Sequence, residues 1–124
     1  MGYNKNMIYH MTHKSEWEEA QKKGYYLPTR YIEDGFIHAS TAVQVLDTAN
    51  RRYKADNELV LLAIDESKVP SKIVFEDLSN RGEKHPHIYG QLPIEAVVDI
   101  YQLLPGVDGN FEKLPDEILT WEVK

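Results

Sequence analysis

Five histidines carry most of the chemistry this sequence can offer: His10, His13, His38, His85 and His87. Three of them stand two residues before a hydroxyl, as His10 and Thr12, His38 and Ser40, and His87 and Tyr89. In a strand, residues i and i+2 point to the same face, so each pair would present an imidazole beside a hydroxyl. Hydroxyl residues are 18 of the 124, so chance supplies fewer than one such pair among five histidines. Imidazole and hydroxyl together can hydrogen-bond ribose hydroxyls, amides or phosphates. His13 has Ser15 at the same spacing, but at a helix start, where the spacing means little.

Two carboxylates, Glu76 and Glu83, flank a polar loop before His87. Either could serve as a general base or face a developing positive charge. Arg51 and Arg52 fall late in a helical stretch, where they suit the helix dipole and where one of them could bind a phosphate. His85-Pro86-His87 is also an H-x-H pair, which His10 or His38 and one of the two glutamates could complete as a metal site. No HExxH spacing supports that alternative, and no P-loop, GxGxxG, GxSxG or kinase signature is present. The plain reading of each histidine is a half-buried strand residue with a backbone partner.

Composition narrows the field. The chain has no cysteine, which excludes thiolate nucleophiles, disulfides and Cys-based metal or redox sites. Its net charge of −6 repels a phosphate backbone, so nucleic acid is disfavoured as a partner, while a local basic pocket stays open. The longest apolar run, Leu59 to Ile64, is too short to cross a bilayer, and the N-terminus shows no signal-peptide pattern. A cytoplasmic protein is expected, with no membrane partner. The 124 residues suit a single domain, residues 1–124.

The elements that must position these groups can be read from patterning. Met7 to Thr12 predicts a first strand. Ser15 and Glu18 have capping-box spacing, a helix follows over Glu16 to Lys23, and Gly24 ends it. Tyr25 to Leu27 is extended, Asp34-Gly35 is a turn, and Phe36 to Ser40 is a second strand. Ser40 or Thr41 caps a helix from Ala42 to Tyr53 with apolar residues at helical spacing. Leu59 to Ile64, Ile73 to Glu76, His87 to Tyr89 and Val97 to Leu104 are strands. Pro93 opens a brief helical turn, Gly90 lets a ligand approach the backbone, and a short helix spans Pro115 to Leu119. Helices early and strands late predict an α+β fold.

The runs Ile8-Tyr9-His10, Gly35-Phe36-Ile37-His38-Ala39-Ser40-Thr41, Ala49-Asn50-Arg51 and Pro86-His87-Ile88-Tyr89-Gly90-Gln91-Leu92-Pro93 resemble a small bacterial family, the domain of unknown function 952. The resemblance runs from about Ile8 to Pro115. His85 and Arg52 depart from it, each standing where an aromatic residue is usual. That family in turn resembles a compact ADP-ribosyltransferase fold related to RNA 2′-phosphotransferases. Tyr9-His10-Met11-Thr12 is similar to their first motif, and Ile37-His38-Ala39-Ser40 to their second. Met11 replaces the glycine of the first motif.

The resemblance implies two small, antiparallel-rich sheets forming a cleft, with two N-terminal helices. It implies NAD as a co-substrate, and an enzyme that transfers ADP-ribose or cleaves its glycosidic bond. His10, His38 and Glu76 would be the catalytic residues. Thr12, Ser40, Arg51, His87 and Tyr89 would hold the nucleotide. The alternatives are a module that binds a small-molecule nucleotide or ADP-ribose without turnover, and the histidine metal site.

Overall fold

Leu59–Asp65 (β4) is apolar on six of its seven positions, and all six are buried. A strand this apolar must be covered on both faces, which makes it the centre of the molecule. In the computed structural model, which describes residues 7–118, β4 pairs antiparallel with Met7–His13 (β1) on one side and with Val97–Leu103 (β8) on the other. Alternate residues feed two cores. Tyr9 and Met11 of β1, with Leu59 and Leu61 of β4, pack against Val45 and Ala49 and against Phe111 from the tail. Ile8, Leu62 and Ile64 point the other way, to Trp17, Tyr26, Ile37, Ile88 and Leu92. Each fully buried Leu or Ile contributes about 1.5–3 kcal/mol, and this sandwiched strand supplies such residues to both cores.

A second sheet, of order β3-β6-β5, joins Ile37–His38 (β3), His85–Tyr89 (β6) and Lys72–Glu76 (β5), again antiparallel. A third pairs Tyr25–Tyr26 (β2) with Leu92–Pro93 (β7). The first two sheets touch through one antiparallel bridge, in which Tyr9 and Ser40 exchange backbone hydrogen bonds of 2.8 and 2.7 Å. Beyond that bridge the sheets diverge, and the gap between them is the site described below.

Among the described residues three α-helices precede β4: Lys14–Lys23 (α1), the four-residue Tyr31–Asp34 (α2) and Val45–Arg52 (α3). The capping box predicted at Ser15 and Glu18 does not form. β1 runs straight into α1, His13 occupies the N-cap position, and Ser15 is already inside the first turn. A capping box forms instead at Thr41 and Gln44, where a 3₁₀ turn, Ala42–Gln44, leads into α3. The Gln44 amide also donates to the Lys84 carbonyl at 2.7 Å, tying the start of α3 to the loop before β6. At the other end, Asn50 exchanges two hydrogen bonds with the Phe111 backbone, of 3.0 and 2.6 Å. α3 is therefore held at both ends. The turn predicted at Asp34-Gly35 is the end of α2, with Gly35 left-handed at φ 81°. Residues 116–118 are helical; the remainder of the helix predicted to Leu119 lies outside the described residues. Among the described residues no helix is long and apolar enough to cross a membrane.

Candidate functional site

The run His85-Pro86-His87-Ile88-Tyr89 alternates in a way that builds a wall. Pro86 and Ile88 are fully buried in the core beneath the second sheet, so His85, His87 and Tyr89 share the opposite face. In register, His87 lies across from His38 on one side and Val74 on the other, and Glu76 lies across from His85. Cross-strand partners share a face. His38, His87, His85 and Glu76 are thereby brought onto one surface, and all four line a cavity of about 280 Å³ between the sheets and α3. His10, Ser40 and Arg51 line it as well.

Glu76 is the best-positioned charge. Its Oε2 accepts from the His87 Nδ1–H at 2.9 Å and also from the Tyr89 hydroxyl. These two bonds, Tyr89 first, hold its carboxyl below the usual carboxylate range. It is ionised at neutral pH, and its Oε1 has no partner among the described residues. His87 is buried, and its ring stacks on Phe36 with centroids 4.0 Å apart. Of the two glutamates considered from sequence, Glu76 lines the cavity, while Glu83 is an exposed loop residue outside its lining.

His38 forms a second unit. Its Nε2–H donates to Asp34 Oδ2 at 2.9 Å, and Arg30 reaches the same carboxylate oxygen at 3.4 Å. The carboxylate fixes the tautomer, leaving the His38 Nδ1 lone pair without a partner among the described residues. Burial lowers the His38 pKa, against the opposing pull of Asp34, so the ring is neutral at pH 7.

His10 is placed differently from its expected role. Its Nδ1 lies against the His38 carbonyl, an acceptor only, so this nitrogen carries the proton. Its Nε2 then accepts from the Tyr26 hydroxyl at 2.7 Å. Burial lowers the His10 pKa to about 4. Both nitrogens are consumed inside the protein, so the ring lines the cavity with no nitrogen left for a ribose. Two further proposed residues stand outside the cavity lining. Thr12 is buried and donates to Glu16 of α1 at 3.3 Å, outside the cavity lining. Tyr89 is also outside the lining and acts through Glu76. At Gly90 a Cβ would run into the Ser71 side chain, so the close approach that this glycine permits is internal.

Several lining residues escaped the sequence reading. Phe36 was expected only as a strand start, Tyr53 only as an apolar residue at helical spacing, and Arg81 carried no periodic signal; all three line the cavity. Thr48, one turn before Arg51 and Arg52 on α3, lines it too, with a buried Oγ1 that has no partner among the described residues. Among the described residues, no group of three or more His, Cys, Asp or Glu is arranged to hold a metal ion.

Comparison with known proteins gives a family and a fold. The family model described as "Protein of unknown function (DUF952)" matches residues 11–100. Among solved structures, the crystal structure of protein CC0527 from Caulobacter crescentus is similar at 29% identity and a TM-score of 0.77, over 86% of this chain and 93% of that one. A double mutant of CC0527 matches equally well, also at 29% identity, a TM-score of 0.77 and the same 86% and 93% coverage. The solution structure of CC0527 is similar at 26% identity and a TM-score of 0.75, over 96% of this chain and 99% of that one. No curated protein matches.

Proposed function

We propose, for a chain that belongs to the DUF952 family, that the cavity between its sheets binds a nucleotide of the NAD or ADP-ribose type and acts on its ribosyl bond. The observation that carries this reading is the single cavity joining the fixed Glu76 carboxylate, the Asp34-held His38 and the aromatic stack of Phe36 and His87. The residues suit such a ligand: flat rings for a base, Ser40 and the unsatisfied Thr48 hydroxyl for ribose, and guanidiniums for phosphates. A cavity of about 280 Å³ falls just below the usual span of small-molecule sites, roughly 300–1000 Å³. The likeness of Tyr9 through Thr12 and Ile37 through Ser40 to ADP-ribosyltransferase motifs supports the same reading, with the two diverging sheets as the compact version of that cleft.

When the bond between ribose and its leaving base breaks, the base departs with the electron pair and the ribosyl carbon becomes positive. The free Oε1 of Glu76 faces that charge, and its partners on Oε2 spare it reorganisation. The ribosyl carbon then bonds to an acceptor oxygen, whose proton passes to Nδ1 of His38. His10 positions His38 through its carbonyl.

A binding module without turnover is the second reading, favoured by the internal use of both His10 nitrogens. The test is NAD consumption, with ADP-ribose affinity measured in parallel. In Glu76→Gln, turnover falls by about 100-fold or more while affinity changes little. Binding with no turnover in the wild-type protein would establish the second reading. Absence of both binding and turnover would remove both.

A further inference from the structure

The chain has four arginines and ten lysines. Three of the arginines, Arg51, Arg52 and Arg81, line the cavity, and among the described residues no lysine does. The fourth, Arg30, pairs with the carboxylate that holds His38. Guanidinium and ammonium carry the same charge, so this sorting is not a demand for charge alone. It selects the planar, multidentate donor that matches a phosphate.

These arginines are under-used inside the protein. Arg51 reaches only Asp47, at 3.5 Å and on an exposed carboxylate. The side chains of Arg52 and Arg81 have no hydrogen-bond or ion-pair partner among the described residues. Partial burial, then repulsion from Arg30 and Arg51, lowers the Arg52 pKa against the opposing pull of Tyr53 and Asp34. Among the described residues, the acidic ones lining the cavity, Glu76 and Asp77, make no ion pair with these arginines and are fewer than the three guanidiniums. Asp77 is turned into its own loop, accepting from the backbone of Arg81 at 2.9 Å and Gly82 at 2.7 Å. Glu76 is engaged by His87 and Tyr89. Thr48, Arg51 and Arg52 stand at i, i+3 and i+4 on α3, so one helix face supplies a hydroxyl and two guanidiniums. Asp77 fixes the loop that brings Arg81.

We propose that Arg52 and Arg81, with Arg51 and Thr48 beside them, form a phosphate clamp, so that the ligand of this cavity is a phosphate ester and not a neutral nucleoside. The proposal rests on the reading of the cavity as the ligand site, and it adds which residues hold the ligand's phosphate. The shared chemistry is a phosphate oxyanion, borne either on a bridging diphosphate or on a terminal monoester.

The experiment is calorimetric titration of the full chain with ADP-ribose, AMP, inorganic pyrophosphate and adenosine, at two salt concentrations. Binding of the phosphate-bearing probes, weakened by salt and at least about tenfold tighter than adenosine, is expected. ADP-ribose ahead of AMP identifies the diphosphate, and the reverse identifies the monoester. Arg52→Ala and Arg81→Ala each lower the affinity of the phosphate probes by about tenfold, and both residues are exposed enough for the variants to fold. Adenosine equal to the phosphate probes, or variants that bind phosphate as the wild type does, would overturn the clamp. Clamp binding of pyrophosphate without ADP-ribose binding would instead overturn the ADP-ribosyl reading.

Discussion

At the scale of single residues, burial decides protonation, and protonation decides role. His10 sits in the core with both nitrogens bonded, so its ionised form would have to give up the bond from Tyr26 without reaching water. Its pKa is near 4 in the folded chain against 6.5 unfolded. A lowered histidine pKa means that the unfolded state binds the proton more readily. The stabilisation is therefore complete above pH 6.5 and is lost as the pH falls from 6.5 towards 4. The shift is worth about 3 kcal/mol, and His38 is lowered in the same direction. The urea midpoint is predicted to fall across this window, and His10→Gln is predicted to flatten that fall. The spacing that singled out His10, His38 and His87 was legible in the sequence, and all three line the cavity, while of the hydroxyls two residues on only Ser40 does. What each nitrogen touches was not legible, because Tyr26, Asp34 and Glu76 arrive from other elements.

At the scale of elements, patterning in the sequence located most strands and both longer helices. The apolar run of β4, the helical spacing of Val45 and Ala49, and Gly24 after α1 are local signals that the fold respects. Pairing of strands is not local. Nothing in Phe36 to Ser40 says that it meets β6 through His38 and His87, or that it touches β1 at a single bridge. α2 was missed because four residues are too few to show a period. Ser15 was a false cap because β1 and α1 share a boundary without a turn. Gly90 gives a test at this scale. Its neighbour Tyr89 pairs with Lys72, which brings Ser71 against it, with the Ser71 Cβ 2.8 Å from a Cβ built at Gly90. Gly90→Ala is predicted to destabilise the chain by about 1–3 kcal/mol. The loss should be largely restored by Ser71→Gly in the same chain, as read from urea unfolding. A stability loss that Ser71→Gly leaves untouched would refute this account of Gly90.

At the scale of the molecule, one acidic chain keeps three arginines on a single cavity between two sheets. Net charge argued against nucleic acid and left a local basic pocket open at Arg51 or Arg52; the folded arrangement brings Arg81 to the same cavity. α3 and the loop after β5 enclose that cavity, and Gln44 ties the two together. His13 provides an internal control, because it is bonded to Asp56 at 2.6 Å outside the cavity lining. The most direct measurement is nitrogen-15 NMR of the histidine rings as ADP-ribose is added. The account predicts that the ring signals of His38 and His87 shift while those of His13 stay in place. Saturating ADP-ribose that leaves His38 and His87 unmoved in a folded protein, or that moves His13 alone, would contradict it.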